Sequence, residues 1–360
     1  MEKINVLIMD DSAVMRGFLT KSLESCSDIT VVGTAADENI AANKIRKFGP
    51  DVIVIDSGMP CMKGFSFLLH LMNNAPLPAI IISQPSSSSG DAAETFGALE
   101  AGAFDVMPAP ASLDAGRAAA FVTQLVDTIR AAKHAPVKAK THVTGMFDAQ
   151  GHDPFSRHAV PLKRAQKEKK LSDTVIAIGA STGGVPVISD ILVKLSDTVP
   201  AIVIVIHMPE GFTAPFADRM NRLSSLYVSE AGEGALLYQG SALVAPGNRH
   251  LMVVKKRAGY AASLGSGERV KGFRPSVDVL FESVASSAGA KGTGIILTGM
   301  GNDGVAGLMG IKQSGGMTIA QDRESCPVYG MPREALREGA AKQTAGIAEI
   351  VSYINGLAVN

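Results

Sequence analysis

Tryptophan is absent, cysteine occurs three times, and neither sign of charge prevails: Lys plus Arg and Asp plus Glu number 34 each. The balanced charge gives no reason to expect a nucleic-acid partner. Cys26, Cys61 and Cys326 lie far apart and lack metal-ligand spacing, so they read as free thiols suited to a reducing cytosol. No apolar run approaches the roughly 20 residues that span a bilayer, which argues against membrane insertion. The first residues reach the acidic Asp10-Asp11 pair without the pattern of a signal peptide, so a cytoplasmic location is expected.

What is present is a real core: 46% of the 360 residues are hydrophobic, enough for two ordinary domains. Apolar runs over 4–9, 29–35, 51–56, 79–83 and 104–107 alternate with helix-period stretches such as 14–23, 65–72, 92–101 and 118–132. That rhythm predicts a doubly wound parallel sheet, whose working crevice lies at the carboxyl ends of the strands. Between 133 and 170 the pattern dissolves. Basic residues outnumber acidic ones nine to three there, Pro136, Pro154 and Pro161 interrupt it, and His134, His142, His152 and His158 lack ligand spacing. A flexible basic linker is expected. The expected layout is a first domain over 1–132, the linker over 133–170 and a second domain over 171–360.

The second domain alternates again, with strands expected at 174–178, 201–207, 242–245, 251–254, 294–298 and 317–321. Helices are expected at 185–195, 215–223, 277–285, 305–312 and 347–354, with a hairpin around 251–264. This too reads as an α/β domain.

Three carboxylates fall at strand ends of the first domain: Asp10 and Asp11 after the first strand, Asp56 at the end of the third. In a doubly wound sheet these ends are neighbours at the switch point. Clustered carboxylates repel unless a cation joins them, and oxygen ligands suit Mg2+. A phosphoryl donor beside Asp56 would make that carboxylate a nucleophile. Ser83, ending the fourth strand, is placed to hydrogen-bond a phosphoryl oxygen.

In the second domain, Gly179-Ala-Ser181-Thr-Gly ends an apolar strand and has the G-x-S-x-G spacing of a nucleophile elbow. Phosphate-binding turns are also glycine-rich, so both readings stand at this point. His207 ends the run from Ala201, and Asp303 follows another strand. Three strand ends thus offer a nucleophile, a base and an orienting carboxylate. Taken singly, His207 reads equally as a core histidine and Asp303 as a helix cap. A dinucleotide site is not indicated, because the stretch lacks G-x-G-x-x-G order.

Val6-Leu-Ile-Met-Asp-Asp-Ser-Ala, Asp51-Val-Ile-Val-Ile-Asp-Ser-Gly-Met-Pro and Ala98-Leu-Glu-Ala-Gly-Ala-Phe-Asp resemble the receiver domain of response regulators. The resemblance implies a flavodoxin-like fold, Asp56 as phosphoacceptor, Asp10, Asp11 and Asp56 as Mg2+ ligands and Ser83 as the switch hydroxyl. One departure is visible: Met107 stands where receivers usually carry a lysine, just before Pro108. Further on, Ala180-Ser-Thr-Gly-Gly, His207-Met-Pro, Ala245-Pro-Gly-Asn-Arg-His-Leu, Arg274-Pro-Ser-Val-Asp-Val-Leu-Phe and Thr298-Gly-Met-Gly-Asn-Asp-Gly are similar to the CheB family. So are Ala320-Gln-Asp-Arg-Glu-Ser and Tyr329-Gly-Met-Pro.

That family implies a phosphorylation-regulated protein-glutamate methylesterase acting on methyl-accepting chemoreceptors, with a histidine kinase as phosphodonor and receptor glutamine deamidation as a second activity. It implies Ser181 as nucleophile, His207 as base, Asp303 as orienting residue, the Met300 amide as oxyanion donor, and Thr182 and Arg274 in the substrate cleft. No cofactor is implied for ester hydrolysis. Ile206 departs from the glutamine common before the histidine, and His250 is a weaker candidate. The competing reading is a regulatory binding module with a degenerate receiver and altered or lost esterase chemistry.

Overall fold

The structure is a computed structural model that describes residues 3–83, 97–99, 101–110, 115–133, 170–208 and 210–358. The helical stretch expected over 92–101, most of the expected linker and its four histidines therefore lie largely or wholly outside the described residues. The chain forms two compact units.

In the first unit, β1 (Ile4–Met9), β2 (Ile29–Ala35), β3 (Val52–Asp56), β4 (Ala79–Ser83) and β5 (Asp105–Pro108) form a five-stranded sheet of order β2-β1-β3-β4-β5. Every pairing is parallel. Helices α1 (Ala13–Glu24), α2 (Glu38–Phe48), α3 (Ser66–Asn74) and α4 (Ala115–Lys133) cover it. The central strands β1, β3 and β4 are buried on both faces, so they read as continuous apolar runs. Alternate residues still part company. Val6, Ile8, Val54 and Ile82 pack with Leu19 and Leu23 of α1 and with Leu125 and Ile129 of α4. Leu7, Met9, Ile53 and Ile55 pack with Leu68 and Leu71 of α3. Ser12 caps α1 by accepting from the Met15 amide, which fixes the chain directly after Asp10 and Asp11.

Lys133 is the last residue of α4 and pairs with Asp51 at 2.8 Å, so it is part of the first unit. Lys170 offers its carbonyl to the Gln239 amide at 2.9 Å and so is tied to the second.

The second unit holds a seven-stranded sheet of order β14-β13-β12-β6-β7-β9-β8. Its strands are β6 (Val175–Ala180), β7 (Ala201–Ile206), β8 (Tyr227–Glu230), β9 (Ser241–Val244), β12 (Gly292–Ile296), β13 (Met317–Gln321) and β14 (Gln343–Ala345), all paired in parallel. The expected hairpin is β10 (His250–Lys256) with β11 (Gly259–Gly265), an antiparallel pair outside this sheet. The helices are α5 (Gly184–Leu192), α6 (Thr213–Leu223), α7 (Val277–Ala288), α8 (Val305–Gln313), α9 (Met331–Arg337) and α10 (Ile347–Gly356). From β6 the chain runs to β7 on one side and later returns to β12 on the other. The β6 end is therefore the switch point of this sheet. Close packing holds α7 over it: a Cβ at Gly179 would collide with Val277 and lie 3.2 Å from Phe281.

Candidate functional site

The register of the sheet brings the three strand-end residues together. Ala180 of β6 pairs with Ile206 of β7, and the His207 amide donates to the Ala180 carbonyl at 3.1 Å. Ser181 and His207 are thus the next residues along two adjacent strands. On the other side, the Ser181 amide donates to the Thr298 carbonyl at 3.0 Å, in the loop that follows β12 and carries Asp303.

The Ser181 turn has almost no spare volume. Gly183 has φ +72° and sits where a Cβ would lie 2.9 Å from Pro327 and 3.2 Å from the Thr298 hydroxyl. Gly299 has φ +157°, and a Cβ there would collide with the Met331 sulfur and lie 2.7 Å from Ser181 Cβ. Glycine at both positions lets two loops close on the serine. Thr298 ties them further, its hydroxyl donating to the Thr182 carbonyl at 3.0 Å and accepting from the Val328 amide at 2.9 Å.

His207 Nε2 lies 2.8 Å from Asp303 Oδ2. The opposite ring nitrogen, Nδ1, is buried and has no hydrogen-bond partner among the described residues. With Asp303 ionised, Nε2 carries the proton and Nδ1 presents its lone pair. Asp303 is held by four donors. Oδ2 also accepts from the Val277 amide at 2.7 Å, while Oδ1 accepts from Ser276 Oγ at 2.8 Å and the Asp278 amide at 3.1 Å. The two amides belong to the first turn of α7, whose dipole favours an anion there. Burial is the largest influence on this carboxyl and opposes ionisation. The hydrogen bonds from His207, Val277 and Ser276 outweigh it and hold Asp303 below the usual carboxylate range.

The other candidates separate by role. The Met300 backbone amide has no hydrogen-bond partner among the described residues, as an oxyanion donor requires. Thr182 is half-buried beside Ser181. Arg274 turns its guanidinium to Asn248 Oδ1, at 2.7 and 3.1 Å, and to the carbonyls of Gly267 and Ser266. It therefore organises the loops around the site. His250 uses both ring nitrogens, accepting from the Ser276 amide at Nδ1 and meeting the Glu268 carbonyl at Nε2, so it is a structural histidine. Ile206 is buried, with its side chain close against Gly184. Cys326 is buried near the Thr298 loop, and burial pushes its thiol up to about 12, which leaves it unfit as a competing nucleophile.

Three roles at this site were not anticipated, although Ser276 stands in the motif that begins at Arg274. Phe273 stacks on the His207 ring with centroids 3.8 Å apart and planes 4° apart. Ser276 caps α7 and donates to Asp303. Lys271 reaches the buried Asp278 at 2.7 Å and the Asn302 carbonyl at 2.9 Å. Only Ser276 carries a local signal, a capping serine before a helical start that has Asp278 in its first turn.

In the first unit, oxygen atoms of Asp10, Asp11 and Asp56 lie within 4.8 Å of one another. Asp10 Oδ1 accepts from the Ser12 amide at 2.7 Å, and Arg16 donates to the Asp10 and Asp11 carbonyls at 2.8 and 2.9 Å. Burial lifts the Asp10 carboxyl above its usual value. The Ser12 amide opposes that rise and the charges of Asp56 and Asp11 add to it. An oxygen-only cluster with this mutual repulsion fits a hard divalent cation such as Mg2+. Ser83 Oγ is buried without a hydrogen-bond partner among the described residues. Asp56, Ile82 and Met107 form one register row across β3, β4 and β5, so Met107 lies two strands from Asp56. Met107 is buried among apolar neighbours.

Comparison with known proteins follows this division. The family model described as CheB methylesterase matches residues 176–354, and that described as response regulator receiver domain matches residues 6–120. A protein-glutamate methylesterase/protein-glutamine glutaminase of Salmonella typhi is 40% identical over 97% of this chain and 95% of its own. A second, from Syntrophus aciditrophicus, is 42% identical over 98% of this chain and 99% of its own. The solved catalytic domain of Thermotoga maritima CheB methylesterase superposes with a TM-score of 0.50 at 35% identity, covering 51% of this chain and 98% of that one. With near-full-length identity at this level, and with both domains matched in order, this chain belongs to the CheB methylesterase family and carries its receiver domain.

Proposed function

We propose that this protein is a phosphorylation-regulated protein-glutamate methylesterase that hydrolyses glutamate methyl esters on chemoreceptors. The observation that carries the reading is the His207 ring. One nitrogen is fixed by a buried ionised carboxylate and the other is unpartnered, beside a serine on the adjoining strand.

His207 Nδ1 takes the Ser181 hydroxyl proton as Oγ bonds to the ester carbonyl carbon. The Met300 amide donates to the developing oxyanion. The protonated His207 then delivers its proton to the leaving methoxy oxygen, the bond between that oxygen and the acyl carbon breaks, and methanol departs. Water attacks the acyl-serine with His207 again taking the proton, and a glutamate carboxylate and free Ser181 result. Asp303 stays ionised throughout and balances the imidazolium charge. The same steps on a glutamine side chain release ammonia, which supports deamidation as a second activity. Thr182 lies at the cleft, and Arg274 shapes its wall through Asn248.

Control resides in the first domain. Asp10, Asp11 and Asp56 would hold Mg2+, which when bound neutralises the carboxylates and supplies a positive partner for phosphoryl oxygens. The Asp56 carboxylate accepts a phosphoryl group from a kinase phosphohistidine. An oxygen–phosphorus bond forms and the nitrogen–phosphorus bond breaks. Ser83 supplies the unpartnered hydroxyl that meets the bound phosphoryl group. The partners are then methyl-accepting chemoreceptors and a histidine kinase. Action at the cytoplasmic side of a membrane receptor fits these partners; among the described residues no helix is long and apolar enough to cross a membrane.

The test is methanol release from methylated receptor by the wild type and by Ser181→Ala. The expected result is loss of release in the variant. Equal rates would remove Ser181 as the nucleophile.

A further inference from the structure

His207 is held on two sides. Asp303 fixes one edge of the ring and Phe273 covers one face. Parallel rings with centroids 3.8 Å apart and planes 4° apart are stacked, so the Phe273 face lies against the base. An aromatic face attracts positive charge, so this one is placed to stabilise the charge that forms on the His207 ring as it takes a proton.

The loop that carries Phe273 is built to hold it there. Val270 and Phe273 exchange two backbone hydrogen bonds, of 3.0 and 2.9 Å, closing a tight turn. Within the turn Lys271 has φ +50°, a conformation that costs free energy in a non-glycine residue. Its ammonium is anchored on Asp278 and on the Asn302 carbonyl, next to Asp303 itself. On the other flank Arg274 is anchored on Asn248 and the Gly267 carbonyl. Lys271 within the turn and Arg274 directly after it are thus pinned by their charged ends, on either side of Phe273.

We propose that Phe273 is a positioning residue for the base. It fixes the plane of His207 so that Nδ1 stays directed away from Asp303, and its π face stabilises the imidazolium that forms as Ser181 loses its proton. This rests on the esterase reading of Ser181 and His207. Because the charge exists in the transition state and not in the resting enzyme, the effect falls on kcat and leaves substrate affinity alone.

The test measures kcat and KM for methanol release from receptor-bearing membranes carrying labelled methyl groups. The full-length wild type is compared with Phe273→Leu, Phe273→Tyr, and chains with mono-, di- and trifluorinated phenylalanine at position 273. Fluorine drains the negative face while keeping the ring's shape. Phe273→Leu is expected to lower kcat about tenfold, with KM within about twofold, as loss of a partly desolvated cation–π contact implies. Phe273→Tyr is expected to restore the rate, and kcat to fall stepwise with fluorine number. An active wild type with a flat fluorine series, or a loss confined to KM, would overturn the proposal alone. The fluorinated chains decide it even where Phe273→Leu does not fold. A wild type that releases no methanol would overturn the esterase reading and this proposal with it.

Discussion

Asp10 in the first domain and Asp303 in the second hold equivalent stations. Each lies beyond the end of a central parallel strand, at the place where the strand order reverses, and each is almost wholly buried. Burial pushes both toward the neutral acid, yet their acidities move in opposite directions. Asp303 receives donors on both oxygens, from His207, Val277, Ser276 and Asp278. Asp10 receives the Ser12 amide and faces two further carboxylates. The difference teaches what a buried charge is for in each place. The catalytic domain supplies every counter-group from its own chain, so its site is complete as folded. The receiver site gathers three carboxylates, an oxygen-only donor set that fits a hard divalent cation.

The largest expected effect breaks the catalytic half of this comparison. Both oxygens of Asp303 accept from backbone amides, so in Asp303→Asn the new amide NH2 must face an N–H group in either orientation. Methanol release is expected to fall by about 10^4, the scale on which a base loses its oriented tautomer. Phosphoryl labelling of the receiver with Mg2+ and a small phosphodonor is expected to persist. Retained esterase activity in a folded Asp303→Asn protein would mean that the carboxylate is only a cap for α7.

Next in size is the receiver nucleophile. Asp56→Ala is expected to abolish labelling by a small phosphodonor and to remove any rise of methanol release with that donor. Activation that survives the substitution would place control at another residue.

How much of this was legible before any coordinates depended on the range of the interaction. Strands such as β1 and β7 declare themselves as apolar runs, and Ser181, His207 and Asp303 stand out because reactive residue types end or follow such runs. β14 does not: Gln343 and Thr344 are polar and exposed, and only Ala345 is buried. β8 has a single buried residue, Val228, and α9 opens with Met331-Pro332, a start that reads as a break unless proline is allowed in the first turn. Phe273 and Lys271 were invisible for another reason. Each has a partner far along the chain, His207 for Phe273 and, across 31 positions, Asn302 for Lys271, and no local pattern distinguishes a phenylalanine stacked on His207 from one in a core. Arg274 shows the converse. Its motif is plain, but the structure spends its donors on Asn248 and neighbouring carbonyls.

A smaller effect sharpens the receiver half. Met107 shares a register row with Asp56 across one intervening strand, about 10 Å at ordinary strand spacing. A lysine side chain spans most of that gap. Met107→Lys is expected to weaken Mg2+ binding about tenfold, since an ammonium competes with the cation for the same carboxylates. Calorimetric titration of the full-length protein with Mg2+ reads this directly, and Met107→Leu controls for packing. Unchanged affinity in the folded lysine variant would show that this row does not open onto the acidic cluster.

The smallest effect tests the opposed acidities themselves. A carboxyl whose folded pKa is depressed binds fewer protons folded than unfolded, so Asp303 contributes stability above the ordinary carboxylate pKa. That contribution is lost as pH falls through its folded value. A carboxyl whose folded pKa is raised does the reverse. Asp10 weakens the first domain at neutral pH, and the penalty disappears as pH falls through its folded value toward the unfolded one. Each unit of displacement is worth about 1.4 kcal/mol. Hydrogen exchange followed peptide by peptide separates the domains within the intact chain. In a chelator, acidification from neutrality toward the ordinary carboxylate range is expected to increase protection of β1 and β3 and to leave β6 and β12 unchanged. Further acidification below the ordinary carboxylate range is expected to weaken β6 and β12. Mg2+ is expected to abolish the first trend, because a bound cation favours the ionised Asp10 that burial disfavours, and to leave the second untouched. If both domains follow one pH course, the contrast between a site complete in its own donors and a site that needs a cation does not hold.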